Sequence, residues 1–162
     1  NGVTEGGETP STPDQPSTPD EPATPSEGTT VKASDFGVAN GEALTTITLS
    51  DGTKLTFNGG GNSNAPKYYD NGTNVRVYPQ NTITVTGSKK IAKIILNCDT
   101  YNGTICNASG DVTATPGSVS VNGSVITISG INAQSTVITN TSGTTGAASQ
   151  IRFTSITIVY AD

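Results

Sequence analysis

The chain has 162 residues and a formal net charge of −5; 31% of its residues are hydrophobic, and it has no Trp, Met or His. Without histidine, Ser-His-Asp and Cys-His nucleophile mechanisms are excluded as usually built. A composition so lean, and rich in Gly, Thr, Ser and Asn, suits a thin β-sandwich with polar outer faces. It does not suit a helical bundle, because these residues are poor in helix interiors and common in strands or turns.

The charge is unevenly placed along the chain. Residues 1–29 hold six acids (Glu5, Glu8, Asp14, Asp20, Glu21, Glu27) and no base. They include the near repeat Ser11-Thr-Pro-Asp-Gln-Pro16, Ser17-Thr-Pro-Asp-Glu-Pro22. Proline fixes φ and like charges discourage collapse, so this segment is expected to be a disordered, extended Pro/Thr/Asp/Glu-rich linker. A Pro-rich peptide docked by a partner is the alternative. The abrupt start at Asn1-Gly2-Val3, with no visible signal peptide, reads as a fragment tethered to a missing N-terminal part.

Residues 30–162 have the size of a single domain. Seven acids stand there against all eight bases of the chain, a balance of +1. That near-neutrality argues against nucleic acid as a partner, since phosphate binding needs a basic stripe. Lys89, Lys90 and Lys93 flank an apolar run and read as a solvated strand edge. No apolar segment approaches membrane-spanning length, so no membrane insertion by this fragment is expected.

Short Val/Ile/Thr-rich runs split by Asn-Gly, Asp-Gly and Gly-Gly predict strands over 30–36, 44–50, 53–58, 75–79, 81–86, 91–98, 104–107, 111–115, 118–121, 124–129, 134–139 and 150–160. Around Asp51-Gly52, a three-residue loop with left-handed Gly52 sets Ile47 opposite Leu55 and keeps Lys54 on the outer face. A two-residue Asn122-Gly123 turn sets Val119 opposite Ile126. The closing run Ile151–Tyr160 is apolar on both faces and is expected in the middle of a sheet. Together these signals predict an all-β, two-sheet antiparallel β-sandwich of jelly-roll or immunoglobulin-like type.

Cys98 and Cys106 are the only cysteines. A bulged loop over Tyr101-Asn102-Gly103 would place them opposite each other, a geometry that allows a disulfide and with it an oxidising compartment. Two buried thiols are the alternative. Gly59-Gly-Gly61 lacks a following Lys-Ser/Thr and reads as a loop rather than a phosphate cradle. The module's acids are scattered, with no close pair to suggest a glycosidase dyad, and a non-enzyme is expected.

The most distinctive stretch runs from Gly59 to Asn74 and into Val75-Arg-Val-Tyr78. It gathers Tyr68, Tyr69 and Tyr78 near Lys67, Arg76 and several amides. Sugars need flat apolar faces to stack on and planar polar groups to bridge hydroxyls. Asn64, Lys67, Tyr68, Tyr69, Asp70, Arg76 and Tyr78 are therefore the candidate ligand-binding residues. The competing structural reading places one ring of Tyr68-Tyr69 in the core and Arg76 on an ordinary outer sheet face. No cofactor is expected, although Asp70, Asn71 and Asn74 offer oxygens to a structural calcium ion.

Asn62-Ser-Asn-Ala-Pro-Lys-Tyr-Tyr69, Val75-Arg-Val-Tyr78, Asn81-Thr-Ile-Thr-Val85, Lys90-Ile-Ala-Lys-Ile-Ile95 and Ile151–Tyr160 resemble a β-sandwich accessory domain. That domain occurs at the C-terminal end of Bacteroidetes secreted proteins and surface lipoproteins, behind a Pro/Thr-rich linker. The resemblance implies a non-catalytic, extracytoplasmic module, secreted or on the bacterial cell surface. Its expected partners are a glycan or other cell-surface material and an adjacent domain of the parent protein. The cysteine pair departs from this family. Carbohydrate recognition is the leading expectation; a structural spacer or packing domain, or a protein-binding adhesin-type domain, is the alternative.

Overall fold

The computed structural model describes residues 28–162. The expected linker thus lies outside the described residues, apart from Gly28 and Thr29. The described chain is all-β. Its strands are β1 (Thr29–Lys32), β2 (Thr46–Thr48), β3 (Lys54–Asn58), β4 (Lys67–Tyr69), β5 (Asn74–Val77), β6 (Thr82–Cys98), β7 (Thr100–Tyr101), β8 (Thr104–Ile105), β9 (Val112–Thr115), β10 (Ser118–Asn122), β11 (Val125–Ser129), β12 (Ala133–Asn140) and β13 (Ile151–Tyr160). Three short 3-10 turns are the only helical elements among the described residues.

The organising strand is β6, 17 residues long. Sequence reading expects two strands here, over 81–86 and 91–98. The structure runs them together through Gly87–Lys90, a bulged bend by which one strand serves two sheets and joins them into a continuous 11-stranded whole. The first half of β6 lies between β3 and β12, and β2 and β9 extend that sheet on either side. The second half lies between β11 and β13, and the sheet continues to β10 on one side and to β1, β5 and β4 on the other. All these pairings are antiparallel, and the sheets curl into a half-barrel around one core.

At the bend the register of β12 on β6 shifts between Ala133 and Ser135. A Cβ at Gly87 would stand 2.4 Å from the Lys89 carbonyl oxygen and 2.8 Å from Ile91 Cγ1, so no other residue fits there without a backbone shift.

Period-two alternation builds the core. Ile83 and Val85 from one half of β6, and Ile94 and Leu96 from the other, join Leu55, Val75, Ile126, Ile138, Phe153, Ile156 and Ile158 in a single cluster. β13 is central, as its two-sided apolar pattern predicts. Tyr160 at its end is buried, and its hydroxyl bonds Asp51 and Thr53.

The Asp51-Gly52 hairpin has the expected register. Ile47 pairs with Leu55, Thr48 with Lys54, and Gly52 has φ 93°. The next hairpin differs from expectation: Val119 pairs with Ile128, Val121 with Ile126 and Asn122 with Val125. The turn is Gly123-Ser124, one place along from Asn122-Gly123. Only the first central residue then needs positive φ, the type II′ pattern with glycine leading.

The cysteine hairpin is also corrected. Tyr101 pairs with Thr104 and Thr100 with Ile105, leaving a two-residue Asn102-Gly103 loop. Asn102 (φ 50°) and Gly103 (φ 80°) are both left-handed, as a type I′ turn requires. Cys106 therefore lies across from Asp99, whose carbonyl accepts its N–H at 3.0 Å, while Cys98 pairs with Phe153. The register that favoured a Cys98–Cys106 disulfide is absent, and both are free, buried thiols. Burial pushes the Cys98 thiol up to about 12, with the charges of Asp99 and Cys106 adding. Burial also raises Cys106.

Candidate functional site

The sequence between Gly59 and Asn74 is less of a loop than its composition suggests. Lys67–Tyr69 forms β4, paired to β5 on one edge and bridged to Ala43 on the other. Alternation then sorts the candidate residues. Tyr68 faces the core and is 4% exposed, so it is not a ligand contact. Burial raises its pKa, with Asp70 and Asp35 adding. Lys67, Tyr69, Arg76 and Tyr78 occupy the opposite, outer face. Asp70 is exposed, its N–H bonded to Asn40 Oδ1 at 2.8 Å. Asn74 is buried against Asp99, Nδ2 to Oδ2 2.6 Å.

On that outer face Lys67 lies directly across from Arg76, and Arg76 directly across from Arg152 of β13. The Arg76 guanidinium stacks on Tyr69, 4.1 Å from the ring centroid, and that of Arg152 on Tyr101 at 4.9 Å. Arg152 Nε donates to Gln150 Oε1 at 2.8 Å.

One residue on from Val77, Tyr78 leaves the cationic row and lines a cleft of about 430 Å³ at the end of the sheet. One wall carries Asn62, Asn64 and Gln80; the other is the segment Ser142–Gly146 with Gln150. Two fully buried carboxamides hold these walls. Asn81 Nδ2 donates to the carbonyls of Gly59 and Asn64, both at 2.9 Å, and its Oδ1 accepts the Tyr78 N–H at 2.8 Å. Asn140 Nδ2 donates to the carbonyls of Val77 (3.0 Å) and Ser149 (2.8 Å), and its Oδ1 accepts the Ser142 N–H at 3.0 Å. The Tyr78 hydroxyl is pushed up to about 12, chiefly by burial and then by Tyr69, against the opposing charges of Arg76 and Arg152.

The structure thus brings Lys67, Tyr69, Arg76 and Tyr78 together and places Asn64 across the cleft. Tyr68 goes to the core and Asp70 to the loop beyond β4. Sequence reasoning missed Arg152, Gln150, Tyr101 and the 142–146 wall. The signal was faint: Gln150 and Arg152 are polar at period two, just before and inside the opening of β13, where Ile151 and Phe153 are apolar. No cluster of three or more Cys, Asp or Glu side chains suited to a metal occurs among the described residues, and no described helix is long and apolar enough to cross a membrane. Compared with protein-family models, curated proteins and solved structures, the chain matches none.

Proposed function

We propose that this protein is a non-catalytic, extracytoplasmic recognition module that binds carbohydrate in the cleft beside Tyr78. The observation that carries the reading is the lining itself. One half-buried tyrosine ring stands among the carboxamides of Asn62, Asn64, Gln80 and Gln150 and the hydroxyls of the 142–145 segment. A sugar ring stacks on an aromatic face, and its vicinal hydroxyls match the paired donor and acceptor of a carboxamide. Buried Asn81 and Asn140 fix both walls in advance, which lowers the ordering cost of binding.

Two further observations support the reading, one its non-catalytic part and one its choice of partner. No carboxylate lines the cleft, so the acid–base pair of a glycosidase is lacking there. The exposed large apolar residues, Tyr101, Ile105 and Val137, are divided between the β7–β8 hairpin and β12, which favours a glycan over a protein partner. The exported setting rests on the motif resemblance to accessory domains of Bacteroidetes surface proteins.

The test is a glycan array probed with the whole chain, then repeated with Tyr78→Ala. Binding to a defined set of glycans, weakened about tenfold by the loss of the ring, is the expected result. An unoccupied array, or hits indifferent to Tyr78, would refute the cleft as a sugar site.

A further inference from the structure

The row Lys67–Arg76–Arg152 is difficult to explain by folding alone. Three cations stand in direct cross-strand register on neighbouring strands. Like charges placed opposite one another destabilise a sheet. Arg152 is only 7% exposed, and a charged side chain so buried is rare unless paired. Yet among the described residues no carboxylate forms an ion pair with any of the three. The charges of Arg76, Arg152 and Asp99 all reach Cys106, but Asp99 spends one oxygen on Asn74 and keeps the other buried without a partner. Arg76 Nε is likewise buried with no acceptor. The chain supplies rings (Tyr69 and Tyr101) where a paired site would supply anions.

This row, free of ion pairs among the described residues, adjoins the cleft without lining it. Gln150 lines the cleft and also accepts from Arg152 Nε, and Tyr78 follows Arg76 by two residues on the same face. The fields of both guanidinium groups are felt at the Tyr78 hydroxyl. An anionic group on a ligand seated against Tyr78 would therefore lie in the field of two guanidinium groups with which no described carboxylate forms an ion pair. Guanidinium matches a carboxylate in two parallel hydrogen bonds, and Arg is more weakly hydrated than Lys.

Resting on the sugar reading of the cleft, we propose that the bound sugar is acidic, with a carboxylate-bearing (uronic acid) unit seated at Tyr78 and its carboxylate directed to the Lys67–Arg76–Arg152 row. The neutral hydroxyls are read by the amides and the charge by the row.

The experiment uses the whole chain and four probes: an oligogalacturonate, its methyl ester, a sulfated oligosaccharide and oligothymidylate. These are run beside an array of neutral glycans. The carboxylated probe is expected to bind at least about tenfold more tightly than its methyl ester, in a salt-sensitive manner, because a hydrogen bond to a charged group is at stake. Arg76→Gln is expected to remove that difference between acid and ester; Lys67→Gln, on a less buried side chain, gives a second reading should Arg76→Gln fold poorly. Preference for the sulfated probe would replace carboxylate by sulfate and overturn the uronic acid assignment. Oligothymidylate binding as tight as that of the acid would reduce the row to a polyanion surface and overturn the proposal. Equal binding of acid and ester, or neutral hits only, would sink the acidic inference and leave the sugar reading intact. No glycan of either kind at Tyr78 would sink both.

Discussion

The two sheets present outer faces of opposite character. On the sheet made by β2, β3, the first half of β6, β12 and β9, one row across five strands reads Thr46, Thr56, Thr84, Val137, Thr115. The row beside it reads Asn58, Thr82, Thr139, Thr113. Folding explains this face completely: threonine is a strong strand former, and paired threonines across strands are mutually favourable. On the face of β4, β5 and β13 the corresponding row is Lys67, Arg76, Arg152, a sequence of like charges that pairing rules disfavour. One face is what a sheet adopts when nothing else is asked of it. The other departs from that choice beside the cleft that Tyr78 lines.

The comparison breaks first at the scaffold beneath the cleft. Asn81→Ala would leave the carbonyls of Gly59 and Asn64 and the N–H of Tyr78 without their partner. Unfolding in urea is expected to show a loss of about 3 kcal/mol, since each buried group left unsatisfied costs on the order of 1–3 kcal/mol. Ligand binding should fall with it. A variant as stable as the parent would mean that the amide is not what holds the walls.

The hinge between the two sheets is the next largest effect. Gly87→Val introduces a Cβ into the space of the Lys89 carbonyl, and overpacking of this kind costs about 1–3 kcal/mol. The thermal midpoint should drop while binding at the distant cleft is retained below it. Loss of binding at temperatures where the variant is folded would show that the bend and the cleft are one unit.

A pH titration separates the two regions without mutation. In the β2–β3 loop of the first sheet, burial opposes ionisation of Asp51, but hydrogen bonds from Tyr160, Thr53 and Thr29 outweigh it and hold the carboxyl below its usual value of 3.8. A lowered folded pKa contributes stability above 3.8 that disappears as pH falls through the lower, folded value. Tyr78 at the cleft has the opposite sign: its folded pKa is raised from 10.0 to about 12, so the stability is whole below 10 and falls as pH rises through about 12. Phenolate absorbance should accordingly show late-ionising tyrosines, Tyr68 and Tyr160 being raised as well, and Tyr78→Phe should diminish that late component by one phenol. An unchanged absorbance titration in that variant would contradict the buried position of Tyr78.

Legibility followed the same division. Strand alternation exposed the core, the all-β class, the central β13 and the Ile47–Leu55 register, because side-chain period and turn length act locally. Two hairpin registers failed: Asn122-Gly123 and Gly123-Ser124 fit neighbouring two-residue turns, and Asn102-Gly103 closes its hairpin without Tyr101 as a third loop residue; in each case a one-residue change moves every partner beyond it. Tyr69, Arg76 and Tyr78 were legible as a cluster because they lie within ten residues of one another. Arg152 was not, since its row forms only when β13 reaches β5 from the far end of the chain. The same holds for Asn81 and Asn140, which look like turn residues in sequence and become buried anchors only through tertiary contact.

The finest test of the contrast is Lys67→Glu. Cross-strand neighbours of opposite charge are worth roughly 0.2–1 kcal/mol relative to Ala pairs, so the change should stabilise the sheet slightly by giving Arg76 an acid directly opposite. The gain should shrink in salt, as an exposed pair's attraction is screened. The same variant should lose affinity for an anionic ligand, because the new carboxylate occupies the field the ligand would use. Stability gained and binding lost from one substitution is the signature of a row kept against the interest of folding. A variant less stable than the parent in urea, at low salt, would mean that Lys67 contributes through its aliphatic stem, and that the cationic row needs no ligand to explain it.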